Sequence, residues 1–94
     1  MININILKNA IETWGDDVQI DMMIEECAEL IVALQKSKRH YDTTSQKQDI
    51  LSNIIDEVAD VTIMMKQAEI IFGEKIIEER INFKMERLSN RLKK

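Results

Sequence analysis

Apolar residues recur at intervals of three and four along most of the chain, which is the pattern of amphipathic helices. The absence of proline and the presence of only two glycines favour long helices over strands and tight turns. We therefore predict an all-α fold resembling a four-helix bundle, with helices at about residues 3–13, 18–39, 47–72 and 74–93.

Three breaks separate these predicted helices. Gly15 and Gly73 supply two of them, because glycine readily ends a helix, and the polar stretch 40–46 supplies the third. Asp16 or Asp17 is expected to cap the second helix. Ser45-x-x-Gln48 has the spacing of a capping box for the third.

Each predicted helix carries an apolar stripe that we expect to face the core. The stripes of the first two helices are Ile4, Leu7 and Ile11, and then Ile20, Ile24, Cys27, Ile31 and Leu34. The third helix is apolar on more than one face, and its most regular stripe is Leu51, Ile54, Val58, Val61 and Met65. The stripe of the fourth helix is Ile77, Ile81, Met85, Leu88 and Leu92.

Length predicts one domain, residues 1–94, with a core small enough that self-association is a reasonable expectation. The net charge of −4 argues against a nucleic-acid polymer as partner. We find no targeting segment and no apolar run long enough for a membrane, and one cysteine cannot form an internal disulfide. A cytoplasmic protein without membrane contact is expected.

Charge is distributed unevenly along the chain. Seven acidic residues and no Lys or Arg lie between Glu12 and Glu29, whereas seven bases and four acids follow from Glu74 onwards. The chain therefore has an acidic front and a basic tail.

Two carboxylate pairs stand at one-turn spacing. Glu26 and Glu29 share a face of the second helix, and Glu57 and Asp60 share a face of the third. Like charges at this spacing repel each other, and both pairs lie within apolar sequence that offers few bases at helical spacing. Carboxylates that converge in a partly buried site require a metal ion or protonation.

The ligand types narrow the choice of metal. Sites with only carboxylate oxygens suit Mg²⁺, Mn²⁺ or Ca²⁺, whereas zinc prefers His or Cys. Di-iron bundles need Glu-x-x-His pairs, and His40, the only histidine, lies in the polar loop. We therefore predict a site for a hard metal ion. Because Mg²⁺ in such sites usually binds substrate phosphates, we also predict phosphate-ester chemistry.

Four features of the sequence occur together: Trp14-Gly15, Gln19, Glu25-Glu26-x-x-Glu29-Leu30 and Asp56-Glu57-x-x-Asp60-Val61. In this combination the chain resembles the MazG-like nucleoside triphosphate pyrophosphohydrolases of the all-α NTP pyrophosphatase superfamily. The resemblance covers about Ile11 to Leu92. It implies the MazG fold, Mg²⁺-dependent hydrolysis of an NTP or dNTP between the α and β phosphates, and a homodimer or homotetramer. The products would be the monophosphate and pyrophosphate, in nucleotide pool control or removal of unwanted nucleotides.

By the same resemblance, Glu26, Glu29, Glu57 and Asp60 would hold Mg²⁺, with Mn²⁺ as an alternative. Glu25 is a candidate general base or outer ligand, and a solvated helix residue is the competing interpretation. Candidate nucleotide-binding residues are Trp14, Gln19, Asn53, Lys84 and Arg87. For Trp14 the competing role is core packing, and for the two bases it is a solvated helix face.

Two other functions compete with the enzyme. In one, the chain is a non-catalytic helical interaction module whose acids are merely solvated. In the other, the fold and the metal are retained in a nucleotide-binding regulator. Intact carboxylates at the ligand positions weigh against an inactive enzyme.

Overall fold

A computed structural model describes residues 1–93 and contains only helices in that range. The helices are α1 (Ile4–Trp14), α2 (Asp16–Ser37), α3 (Thr44–Phe72) and α4 (Glu74–Leu92). The predicted all-α, four-helix class is confirmed. Within residues 1–93, none of the helices combines the length and apolar composition that crossing a bilayer would require.

Glycines make two of the three junctions, as predicted. Gly15 and Gly73 adopt φ values of 90° and 122°, a region that residues with a Cβ rarely enter, and each donates its N–H to a carbonyl of the preceding helix. The predicted caps are wrong in detail. Gly15 itself precedes α2, so Asp16 and Asp17 lie in the first turn of that helix and favour its N-terminus electrostatically.

The third helix begins earlier than predicted because another capping box starts it. The Thr43 hydroxyl accepts from the N–H of Gln46, and the Gln46 side chain accepts from the N–H of Thr43. Ser45 and Gln48 instead lie inside the helix. Both Thr43-x-x-Gln46 and Ser45-x-x-Gln48 have the sequence of a capping box, and the structure uses Thr43-x-x-Gln46.

Replacing Thr43 by Ala is expected to destabilise the fold by about 1 kcal/mol, because the hydroxyl cap of α3 is lost. The measurement is the free energy of unfolding from urea denaturation followed by circular dichroism. Ser45→Ala is the matched control, since the predicted but unused cap should change stability far less. Equal losses for the two variants would contradict the observed cap.

The core is a hairpin of α2 and α3, which make the most extensive contact between helices. The less exposed positions on both helices repeat at intervals of four and three, the spacing of a coiled-coil seam. These seam residues are Gln19, Met23, Glu26, Leu30 and Ala33 on α2, and Ile50, Ile54, Glu57, Val61 and Met64 on α3. One glutamate of each predicted carboxylate pair, Glu26 and Glu57, therefore lies on the seam.

This seam corrects two of the predicted core faces. On α2 the expected residues Ile24 and Ile31 are 64% and 57% exposed, because the helix is rotated so that Met23 and Ala33 are buried. On α3 the expected stripe is divided between two faces. Ile54 and Val61 lie on the seam, whereas the other three stripe residues are exposed: Leu51, Val58 and Met65.

The first and last helices differ in how much they are covered. α1 packs against α2 and α3 through the predicted stripe, in which Leu7 is buried. α4 contacts only α3, and none of its side chains is fully buried. Across residues 1–93, the fully buried apolar side chains are Leu7, Met23, Ala33 and Met64, which is a very small core.

Candidate metal centre

Four carboxylates meet where the middle of α2 faces the middle of α3. Glu26 and Glu57 are partly buried because they occupy seam positions, and Glu29 and Asp60 lie one turn further along each helix and are exposed. One carboxylate oxygen from each of Glu26, Glu57 and Asp60 lies within 4.8 Å of those from the other two residues. Three of the four predicted ligands thus come within reach of one ion, and Glu29 lies beside Glu57 on the wall of the adjoining groove.

Two of the buried oxygens lack any partner. Glu26 Oε2 and Glu57 Oε2 are inaccessible to solvent, and neither makes a hydrogen bond to the protein. A buried polar atom without a partner is unfavourable, and it is more so when the group is charged. These two oxygens therefore call for a proton or a cation between the helices.

Burial and mutual repulsion both favour the protonated forms of these two glutamates. The pKa of Glu26 is raised above its usual 4.5, first by burial and then by the negative charges of Asp60, Glu29 and Glu57. The pKa of Glu57 is raised in the same way, by burial and then by Glu29 and Asp60. A divalent cation would relieve both causes by pairing with the ionised forms.

An open groove leads to the carboxylates. It has a volume of about 370 Å³, and its apolar lining residues are Ala28, Val32 and Ala33. Its polar walls are Glu25 and Glu29 from α2, and Asn53 and Glu57 from α3. Glu25 and Asn53, two residues predicted from sequence, are therefore positioned beside the carboxylates.

The chemistry of this donor set fits a hard divalent cation. All donors are oxygens, and none of the residues that line the groove is basic. Lys66, the nearest base after the second carboxylate pair, is engaged elsewhere, with Nζ 3.5 Å from Glu69 and 3.4 Å from Glu74. Within residues 1–93, no basic side chain therefore neutralises the carboxylates of the groove.

The proposed base-recognition residues lie outside the groove. Trp14 is 60% exposed at the end of α1, so it is not the core residue that the competing interpretation required. Gln19 is only 1% exposed, and its side-chain amide donates to the sulfur of Met22 at 3.7 Å. In this conformation Gln19 has no free edge to offer a nucleobase.

The predicted phosphate-binding bases also lie outside the groove in a single chain. Lys84 and Arg87 are exposed on α4, which contacts neither α1 nor α2. Arg87 lines a separate groove along α4, together with Phe83, Glu86, Asn90 and Arg91. One chain therefore does not bring these bases to the carboxylates.

Two polar features elsewhere in the chain escaped the sequence analysis. Glu69, Glu74 and Glu78 form a second carboxylate cluster, which Lys66 compensates through its two ion pairs. Gln67 is 2% exposed, and its Oε1 has no hydrogen-bond partner. The detectable signal for Gln67 was a polar residue within the apolar run of α3.

Within one chain, then, the structure groups Glu25, Glu26, Glu29, Asn53, Glu57 and Asp60, and it leaves Trp14, Gln19, Lys84 and Arg87 apart from them. The grouped residues can hold a hard cation and present a groove for its ligand. Comparison of the chain with protein-family models, with curated proteins and with solved structures gives no match.

Proposed function

We propose that this chain is a Mg²⁺-dependent nucleoside triphosphate pyrophosphohydrolase. The observation that supports this most strongly is the pair of buried, unpartnered oxygens, Glu26 Oε2 and Glu57 Oε2, beside a groove that no basic residue lines. Oxygen-only sites of this kind bind Mg²⁺, which usually completes its shell with water and substrate phosphates. The resemblance of the two carboxylate motifs to MazG-like enzymes supplies the reaction class.

In this proposal Glu26, Glu29, Glu57 and Asp60 hold the metal. When bound, Mg²⁺ offsets phosphate charge and lowers the pKa of water for attack at the α-phosphorus. Mn²⁺ prefers the same oxygen ligands and could replace it. Glu25 and Asn53 line the mouth of the groove. There Glu25 accepts the proton of the attacking water, and Asn53 donates its amide N–H to a phosphate oxygen or orients a ligand.

The products of incubation with nucleotides test the proposal. The purified chain is mixed with a panel of NTPs and dNTPs plus Mg²⁺, and the products are separated by chromatography. Monophosphate and pyrophosphate in equal amounts, abolished by EDTA, are expected. Orthophosphate with a diphosphate would relocate the attack to the γ-phosphorus, and no turnover on any nucleotide would contradict the enzyme.

We also propose a homo-oligomer, either a homodimer or a homotetramer. Its support is the very small core together with the exposed apolar stripes of α3 and α4. The same exposed stripes favour the second candidate function, a non-catalytic helical interaction module. Nucleotide turnover discriminates between the two functions, because an interaction module has no product to release.

A further inference from the structure

The last helix, Glu74–Leu92, which we call the α4 arm, is almost uncovered in its own chain. It contacts only α3, and Ile77 is its one partly buried side chain. In proteins, packing of an amphipathic face supplies most of the stability of a helix. A 19-residue helix so exposed implies a packing surface outside the chain.

Two parallel stripes define what the α4 arm would pack against. The apolar stripe is the predicted one, and each of its last four members directly follows a base in the sequence: Arg80-Ile81, Lys84-Met85, Arg87-Leu88 and Arg91-Leu92. All eight side chains are exposed. Within residues 1–93, none of these four bases lies within 4 Å of an acidic group. The arm thus presents an apolar ridge bordered by unpaired positive charge.

The first half of α2 carries the complementary arrangement, which we call the α2 front. Asp17 and Asp21 directly precede Val18 and Met22, and Glu25 follows one turn later. All five side chains are exposed, and their acids have no basic partner within 4 Å in the described chain. The front is thus an apolar strip bordered by unpaired negative charge, and its acids recur about once per helical turn, as the bases of the arm do.

The arm does not reach the α2 front of its own chain. It leaves α3 through the single residue Gly73 and makes no contact with α2. A second copy, in contrast, offers the same front in any orientation that symmetry allows. In a two-fold dimer, each arm can cover the front of the other copy, and both contacts form at once.

We propose that the α4 arm of one copy packs on the α2 front of a second copy, reciprocally, in a two-fold homodimer. The apolar ridge buries Val18 and Met22, and the arm's bases pair with Asp17, Asp21 and Glu25. Complementary potentials of this kind steer association and fix the register of an interface.

The arrangement also affects the carboxylate groove, a consequence that rests on the proposed function. Glu25 belongs both to the α2 front and to the groove wall. In the register that pairs Arg80 with Asp17, Arg87 comes level with Glu25, and in the reverse direction, with Arg91 at Asp17, Lys84 does so. The bases that a triphosphate requires, which one chain keeps apart from the groove, would then arrive from the partner copy.

Charge reversal tests the proposal without nucleotide or metal. One variant carries Arg80→Glu and Arg91→Glu on the arm, and another carries Asp17→Lys and Asp21→Lys on the front. Sedimentation equilibrium is expected to show at least a tenfold weaker dimer for each variant alone, because like charges then oppose each other at both contacts. An equimolar mixture should regain wild-type association, since each arm again meets a front of opposite charge.

Lys8→Glu with Lys47→Glu is the matched control, because it makes the same change of charge at exposed positions away from both surfaces. Its dimerisation should equal that of the wild type, and circular dichroism should show all variants helical. A monomeric wild type, a dimer insensitive to either reversal, or a mixture that stays dissociated would overturn the proposal. Dimerisation without hydrolysis would leave it standing while refuting the enzyme.

Discussion

Glu57→Gln is expected to lower kcat/KM for pyrophosphate release by at least about 100-fold. Loss of a residue that only orients a metal ligand already costs about 10–100-fold, and Glu57 is proposed as a ligand itself. The amide keeps the size of the side chain but cannot supply the negative charge of its buried Oε2. The measurement is the initial rate of pyrophosphate formation at saturating Mg²⁺.

Glu79→Gln is the matched control for this substitution. Glu79 is an exposed glutamate of α4 outside both carboxylate clusters. Turnover by the Glu79→Gln variant should therefore stay close to that of the wild type. Circular dichroism should show unchanged helicity in both variants. Turnover by Glu57→Gln within about twofold of the control would remove Glu57 from the ligand set.

Glu26→Gln is expected to have opposite effects on stability with and without metal. In EDTA at pH 7 the variant should melt at a higher temperature than the wild type, because it removes a negative charge crowded by Asp60, Glu29 and Glu57. With Mg²⁺ the wild type gains a stabilisation that the variant largely lacks. At a free metal concentration of about 100 times Kd, that gain is about 2.7 kcal/mol.

The pH dependence of the metal-free protein follows from the raised pKa values of Glu26 and Glu57. The native state holds these protons more tightly than the unfolded chain, whose carboxyls titrate near 4.5. The resulting stabilisation is fully present below pH 4.5 and is lost as pH rises through the raised native pKa values. The advantage of Glu26→Gln in EDTA should therefore shrink as pH falls towards 4.5.

Scanning calorimetry measures both effects, with NaCl at matched ionic strength as the control for screening of surface charges. For a domain of this size, each 1 kcal/mol shifts the melting temperature by roughly 4–8 °C. Equal stabilisation of wild type and variant by Mg²⁺ would place the metal elsewhere. A higher stability of the metal-free wild type at pH 7 than of the variant would contradict the crowding of charge at Glu26.

Helix existence and most helix ends could be predicted, because they depend on local chemistry. Gly15 and Gly73 end helices through their own backbone conformations, and the polar loop leaves no apolar stripe to bury. The start of α3 was harder to predict, since two boxes of equal quality compete within a few residues. Thr43 and Gln46 form the box that starts α3, and no local rule ranks them above Ser45 and Gln48.

The rotation of each helix could not be predicted, because it depends on the partner. α3 carries apolar residues on two faces, and both Ile54 and Leu51 belong to stripes with correct spacing. Only packing against α2 decides that Ile54 is buried and Leu51 exposed. The metal ligands were less sensitive to this ambiguity, since a charged pair one turn apart stays together however its helix is rotated.

The roles around the ligands were less predictable for the same reason. Glu25 and Asn53 line the groove because each lies within one turn of a ligand. Gln19 lies two turns from Glu26, on the seam, and its side chain is buried. Lys84 and Arg87 lie beyond the junction at Gly73, and the spacing of residues in the sequence does not predict the angle between α3 and α4.

Gly73 is the junction about which α4 would turn relative to α3. The arm beyond it is about 28 Å long at 1.5 Å per residue, so a swing of about 10° at this junction moves Leu92 by about 5 Å. The backbone there stands at φ 122°, and a Cβ would meet no atom closer than 3.9 Å, so the constraint lies in the torsion angle and not in the surroundings. The direction of the nineteen residues of α4 therefore depends strongly on the backbone torsions of Gly73, and a substitution at this position would redirect the helix while leaving its own sequence intact.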